Sequence, residues 1–144
     1  MIAIDTNLLI YAHRSGTPEH RAARNAIETA LNRPGGCGFA LPSVAEFFSI
    51  ATHPTASGTP SPPDVAAGFL AALRRAGVEE FTPGPGFSAR LMQLAADLGV
   101  SGARIFDLQI AVCSLDGGAT QLWTHDRAFV RVPGLVIHDP LERE

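Results

Sequence analysis

Short apolar stretches alternate along the chain with longer segments in which apolar residues recur at helical spacing. The apolar stretches, at residues 1–5, 37–41, 78–81 and 121–124, have the length of buried strands, and residues 135–138 predict a fifth strand at an edge. Buried strands that alternate with helices are typical of a parallel sheet with both faces covered. The pattern therefore predicts an α/β fold of three layers, α/β/α, with a central parallel sheet of four to five strands.

Caps and glycine stops set the expected bounds of the helices. Thr17 is the predicted cap of one helix, with Pro18 as its first helical residue, and this helix should run to about Asn32. The other helices are expected at residues 6–12, 42–52, 63–77, 87–98 and 104–115. Residues 53–63 are rich in Pro, Ser, Thr and Gly and predict a loop inside the domain. The whole chain, residues 1–144, is therefore predicted to form one domain.

Composition narrows the class of protein. The chain has 144 residues, of which 46% are hydrophobic and 17% are charged, so one buried core is expected. The apolar runs are too short to span a bilayer, and no signal-like segment precedes them, which favours a cytoplasmic protein with no membrane association. Cys37 and Cys113 are isolated among apolar residues and are expected to be buried thiols.

The basic residues are unusual because all 11 of them are arginine. Without lysine, the chain cannot perform Schiff-base chemistry, form a Walker A phosphate loop or build a receiver-domain site. The net charge of −3 does not indicate a nucleic-acid binder. An RNA substrate would therefore need metal ions and local arginines to overcome the negative field.

Four acidic residues map to the edge of the sheet where sites form, beyond the carboxyl ends of parallel strands. Asp5 follows the first strand and Asp126 follows the fourth. Glu46 and Asp107 lie in the first turns of helices that should begin at the same edge. This convergence of four chain segments predicts a site.

Each of these acids also has a purely structural interpretation. Asp5 and Asp126 would cap the turns that follow them, and Asp107 would interact favourably with a helix dipole. Glu46 would complete a capping box with Ser43, since the two residues have the S-x-x-E spacing. For each acid alone, the structural interpretation is at least as good as the functional one. The prediction of a site therefore rests on the shared sheet edge to which all four acids map.

Clustered carboxylates repel one another unless they bind cations or protons. An all-oxygen ligand set suits Mg²⁺ or Mn²⁺ rather than zinc. The five histidines lack metal-binding spacing and are expected to be surface or packing residues. An Mg²⁺ site can lower the pKa of a water, neutralise phosphate oxygens and orient an in-line attack, which is the chemistry of phosphodiester hydrolysis.

The ordered set of acidic motifs resembles that of PIN domains, and most of all the toxins of VapBC toxin–antitoxin pairs. The similarity spans nearly the whole chain, and the motifs are Ile4-Asp5-Thr6-Asn7, Glu46 after Leu41-Pro42-Ser43, Phe106-Asp107-Leu108-Gln109-Ile110-Ala111 and Trp123-Thr124-His125-Asp126-Arg127-Ala128-Phe129. This resemblance implies a PIN-like fold, Mg²⁺ or Mn²⁺ dependence and endonucleolytic cleavage of RNA. It also implies a cognate small antitoxin and a homodimer, with exposed apolar residues expected around Leu8, Leu9 and Tyr11.

The resemblance also implies roles for individual residues. The implied metal ligands are Asp5, Glu46, Asp107 and Asp126. Thr6 and Asn7 would support the site as hydrogen-bonding neighbours of Asp5, and Thr124 would orient Asp126. Capping and turn formation are equally good roles for these three.

The roles of two further residues and one alternative class of protein remain open. Phe106 could stack on a base or pack in the core, and Arg104 could contact a phosphate or remain solvated. A haloacid-dehalogenase-like phosphatase is disfavoured, because Asn7 stands where its second Asp would be and the chain has no lysine. The remaining alternative to a nuclease is a non-catalytic PIN-like module that binds RNA or protein.

Overall fold

One sheet lies at the centre of the computed structural model, which describes residues 1–54 and 58–142. Its strands are β1 (Ile2–Ile4), β2 (Cys37–Ala40), β3 (Glu79–Phe81), β4 (Gln121–Trp123) and β5 (Val136–His138). They stand in the order β3-β2-β1-β4-β5, and every neighbouring pair is parallel. The predicted parallel sheet with a fifth strand at the edge is confirmed, and β1 occupies its middle.

The helices connect successive strands. They are α1 (Thr6–His13), α2 (His20–Asn32), α3 (Leu41–Thr52), α4 (Pro63–Arg75), α5 (Phe87–Leu98) and α6 (Ile105–Asp116), with a short 3-10 turn at Gly102–Arg104 before α6. Gly99 ends α5 as predicted, in a left-handed conformation with φ of 66° that favours glycine. Of the predicted loop at 53–63, residues 55–57 lie outside the described residues. Within the described ranges, no helix has the length and apolar character needed to cross a bilayer.

The start of α2 differs from the prediction. The predicted Thr17 cap is wrong: α2 begins at His20, and no side chain caps it. The Thr17 hydroxyl instead donates to the carbonyl of Arg14 at 2.9 Å. The turn after α1 brings that carbonyl within reach of the hydroxyl. The Thr17 side chain therefore bonds to this turn and does not cap α2.

Alternate side chains of the strands enter two separate cores, which confirms the three-layer α/β/α fold. Ile2, Ile4 and Phe39 pack with α1 to α4 on one face of the sheet. Ala3 and Leu122 pack with α5 and α6 on the other face. This alternation follows from the two-residue repeat of a strand.

The surface predicted around Leu8 and Leu9 is not exposed. Both side chains are completely buried, at 0% exposure, and Tyr11 is partly buried. The expectation was wrong because α1 packs against both α2 and α3 in addition to its attachment to the sheet. Cys37 and Cys113 are free, buried thiols, as predicted.

Candidate active site

The pairing of β1 with β4 brings two of the predicted acidic segments together. Ile4 lies opposite Trp123, so Asp5 and Thr124 are the next residues on the two neighbouring strands. The backbone N–H of Asp5 donates to the Trp123 carbonyl at 3.0 Å, which extends the strand pairing to this position. The carboxyl edge of the sheet therefore begins at Asp5.

Both carboxylate oxygens of Asp5 accept hydrogen bonds. Oδ1 accepts from the backbone N–H of Thr6 at 2.8 Å, so Asp5 does cap α1. Oδ2 accepts from the hydroxyl of Thr124 at 2.7 Å. The residue is only 7% exposed, and these two bonds fix its orientation at the edge.

Thr124 is the centre of the hydrogen-bond network behind the edge. Its buried hydroxyl oxygen donates to Asp5 and accepts from the Asn7 amide and the Asp126 backbone N–H, each at 3.1 Å. Asn7 in turn accepts from the His125 backbone N–H at 3.3 Å. This network joins the start of α1 to the segment after β4.

The contacts of the three predicted supporting residues differ in detail from the expectation. Thr6 reaches Asp5 through its backbone N–H, while its buried hydroxyl has no hydrogen-bond partner among the described residues. Asn7 contacts Thr124 rather than Asp5. Thr124 holds the Asp5 carboxylate directly and contacts Asp126 through the backbone.

Asp126 is exposed at the same edge. Its Oδ1 accepts from the backbone N–H of Ala128 at 2.9 Å, so the predicted turn-capping role is present. A carboxylate that accepts this bond keeps further acceptor capacity toward solvent. The capping contact is therefore compatible with ligation of a metal ion.

Glu46 is exposed on α3, and the predicted capping box with Ser43 is wrong. The chain passes directly from β2 into α3 at Leu41, so Ala40 precedes the helix and Ser43 lies inside it. The Ser43 hydroxyl is buried without a hydrogen-bond partner among the described residues. Glu46 consequently lies in the second turn rather than the first, and it is not part of a capping box with Ser43.

Ser43→Ala should therefore not destabilise the protein. Loss of a true cap would cost about 1 kcal/mol, whereas removal of a buried, unpaired hydroxyl should leave the free energy of unfolding unchanged or slightly higher. Urea unfolding of the two proteins measures the difference. A loss of about 1 kcal/mol in the alanine variant would restore the capping role.

Asp107 lies half-buried in the first turn of α6. Burial raises the pKa of its carboxyl, and the charges of Asp126 and Glu46 raise it further, while Arg104 opposes them. The interaction with the helix dipole remains available at this position. Asp107 is thus influenced by two other acids from different chain segments.

The four acids form one electrostatic group, which we call the acidic rim: Asp5, Glu46, Asp107 and Asp126. Burial raises the pKa of Asp5 to about 6, against the lowering effect of its bonds from Thr124 and Thr6, and the charges of Glu46 and Asp107 add to the rise. The charges of Glu46 and Asp126 raise the pKa of Asp107 in the same way. Mutual repulsion of this kind is what a bound cation relieves.

The oxygen donors of the acidic rim fit a hard divalent cation in their chemistry. In residues 1–54 and 58–142, no three or more His, Cys, Asp or Glu side chains form a ready-made metal site. The oxygen donors and the raised pKa values of Asp5 and Asp107 are the features of the rim that suit a bound cation.

A His–Asp pair beside the acidic rim was not predicted. Asp139 accepts from Nδ1 of His125 at 2.9 Å and from the Leu141 backbone N–H at 2.9 Å. The Tyr11 ring lies edge-on to the imidazole, with 6.0 Å between centroids. In the sequence, the position of His125 next to Asp126 was the signal that could have drawn attention to this pair. Nothing in the sequence around Asp139 indicated its contact with His125.

Comparison with known families decides where the chain belongs. The sequence model of the PIN domain matches residues 2–135. The chain belongs to the PIN domain family. The predicted resemblance is confirmed, and the matched region contains all four acids of the rim.

The relatives of this PIN domain include two ribonucleases from Mycobacterium tuberculosis. Ribonuclease VapC43 is 31% identical over 143 residues, which cover 99% of this chain and 97% of the relative. Ribonuclease VapC48 is 27% identical over 145 residues, covering 94% of each chain. These matches run over nearly the full length of both proteins.

Two solved structures share the fold. The sarcin–ricin-loop-cleaving toxin VapC20 of Mycobacterium tuberculosis has a TM-score of 0.67 and 12% identity, covering 90% of this chain and 92% of the other. VapBC2 of Rickettsia felis, bound to a DNA fragment from its promoter, has a TM-score of 0.66 and 19% identity, covering 96% and 98%. At these identities the likeness establishes the fold alone.

Proposed function

We propose that this PIN domain is an endoribonuclease that uses Mg²⁺ or Mn²⁺ and acts as the toxin of a toxin–antitoxin pair. The observation that carries the proposal is the acidic rim, where four carboxylates from four chain segments influence one another at one sheet edge. VapC43 and VapC48, which this chain matches over nearly their whole length, are ribonucleases. Raised carboxyl pKa values in a cluster are typical of functional sites.

In this proposal the carboxylates of the acidic rim are the metal ligands. A bound Mg²⁺ or Mn²⁺ would supply a water of lowered pKa and neutralise the phosphate oxygens. The Thr124 hydroxyl and the Thr6 N–H hold Asp5 in one orientation, so its carboxylate needs little rearrangement on binding. Arg104 adds a positive charge close to Asp107.

The experiment is cleavage of mixed single-stranded RNA by the purified chain. We expect cleavage with Mg²⁺ or Mn²⁺ and none in excess EDTA, with recovery when the metal is restored. Full activity in EDTA would contradict the metal mechanism. Binding of RNA without cleavage under any of these conditions would favour the alternative, a non-catalytic PIN-like module.

The antitoxin is expected to bind an apolar groove between α3 and α4, since the surface predicted on α1 is buried. The groove encloses about 650 Å³ and is lined by Val44, Ala45, Phe48, Ala67, Leu70, Ala71, Arg74 and Arg75. Its α3 wall contains the residues next to Glu46, so a bound segment would lie beside the acidic rim.

Co-purification with the product of the neighbouring gene tests the antitoxin, and light scattering of the free chain tests the expected homodimer.

A further inference from the structure

Phe106 places an exposed aromatic ring directly before Asp107. The residue is 59% exposed, whereas most of the apolar side chains that follow it on α6 are buried. The alternative that Phe106 packs in the core is therefore wrong. An exposed ring next to an acid of the rim leaves apolar area available for a ligand.

Arg104 lies on the same edge of the domain as this ring. It is the N-cap residue of α6, three residues before Asp107, and its Nη2 donates to the carbonyl of Ala128 at 3.4 Å, which is a long bond. The guanidinium thus lies near both Asp107 and the turn that follows Asp126. It is exposed and has further N–H donors available for a phosphate.

We propose that Phe106 and Arg104 bind the nucleotide that adjoins the scissile bond, with the ring stacked on its base and the guanidinium on its phosphate. This inference rests on the proposed function and specifies how that site binds RNA. Single-stranded RNA exposes the faces of its bases, and stacking on an aromatic ring accepts any base. A chain of net charge −3 needs a local cation to bring a phosphate to four carboxylates.

RNA is favoured over a protein partner as the ligand of Phe106. The residues from Ser101 to Arg104 are exposed and include no large apolar side chain, while Ile105, directly before the ring, is partly buried against the core. By contrast, α3 carries several exposed large apolar residues, which suit a protein partner better: Leu41, Phe48 and Ile50. The Phe106 ring lies in sequence between the cation of Arg104 and the carboxylate of Asp107. This combination suits a nucleotide, which presents a base and a phosphate together.

The test measures binding of short single-stranded oligoribonucleotides that carry 2-aminopurine at successive positions, whose fluorescence reports stacking. Asp5→Asn serves as the inactive parent so that the probe stays intact. Phe106→Ala and Phe106→Leu should raise Kd about 5- to 100-fold and abolish the stacking signal, while Phe106→Trp should keep both. Arg104→Gln should raise Kd and reduce the dependence of log Kd on log salt by roughly one phosphate contact.

Two control variants separate these roles from general surface effects. Val136→Ala removes another apolar side chain, 63% exposed on β5, and Arg24→Gln removes an exposed arginine of α2. Neither should change Kd by more than about twofold. Because Phe106, Arg104 and both control residues are exposed, all the variants should fold, which thermal melting checks.

In the active protein, Phe106→Ala should raise KM more than it lowers kcat. Unchanged Kd and stacking signal in both Phe106→Ala and Phe106→Leu would overturn the inference, and so would an effect confined to antitoxin binding. If the wild-type chain binds the oligonucleotides but never cuts them, the proposed function fails while the same comparison still decides whether Phe106 stacks on RNA.

Discussion

Asp107→Asn is expected to abolish RNA cleavage and yet to make the metal-free protein more stable. The carboxyl of Asp107 is half-buried, and its pKa is raised by burial and by the charges of Asp126 and Glu46. Asparagine removes this repulsion, so the free energy of unfolding should rise by up to about 1 kcal/mol. Loss of a metal ligand should lower activity by more than the roughly 100-fold seen for residues that only support a ligand.

The stability gain of Asp107→Asn should depend on pH. A carboxyl whose pKa is raised in the folded state destabilises that state above its folded pKa, and the penalty disappears as the pH falls below the unfolded value of 3.8. The difference between variant and wild type should therefore be largest near pH 7 and disappear below about pH 3. Asp5, raised from 3.8 to about 6, adds a penalty of the same sign in both proteins.

Urea unfolding in EDTA and in Mg²⁺, together with cleavage rates, measures these effects. Mg²⁺ should stabilise the wild type and should stabilise the variant much less, because a ligand that binds only the folded state shifts unfolding by mass action. Wild-type turnover by Asp107→Asn would remove this residue from the site. A variant less stable than the wild type in EDTA would contradict the electrostatic account.

Thr124→Val should destabilise the protein by about 2–4 kcal/mol and strongly reduce cleavage, while Thr124→Ser should largely preserve both. Valine has the shape of threonine but leaves Asp5, the Asn7 amide and the Asp126 N–H without their shared partner. Each buried polar group left unpaired costs about 1–3 kcal/mol. The pKa of Asp5 should rise further, because the Thr124 hydroxyl lowers it in the wild type.

The serine variant is the matched control because it retains the hydroxyl and removes only a methyl group. Chemical unfolding at pH 7 and cleavage rates are compared for the three proteins. Equal stability of the valine and serine variants would mean that the hydroxyl network contributes little. If both variants cleave RNA as fast as the wild type, Thr124 does not orient Asp5 for catalysis.

The sheet and the placement of the acids could be predicted because strand ends carry strong local signals. Asp5 and Asp126 follow short apolar strands, and parallel neighbouring strands end at one edge. Asp107 lies in the first turn of α6, the helix that leads into β4. Such a helix starts at the carboxyl edge of the sheet, so the position of Asp107 could be predicted from the same topology.

Features that depend on packing between segments could not be predicted. The spacing of Ser43 and Glu46 matches a capping box, but α3 starts at Leu41, so the pattern falls inside the helix. Leu8 and Leu9 are buried because α2 and α3 cover α1, which no periodicity within α1 reveals. The contact between His125 and Asp139 joins two loops that are separate in sequence.

The most direct test of cleavage at the acidic rim is to identify the RNA ends produced in ¹⁸O-labelled water. A divalent cation held by the acidic rim would supply a water of lowered pKa. That water would add its oxygen to phosphorus, one ester P–O bond would break, and the departing oxygen would take up a proton. We expect one RNA fragment to end in a phosphate monoester that contains ¹⁸O and the other in a free hydroxyl, with neither product formed by Asp107→Asn. A 2′,3′-cyclic phosphate, which forms when the RNA's own 2′-hydroxyl attacks, would contradict this expectation.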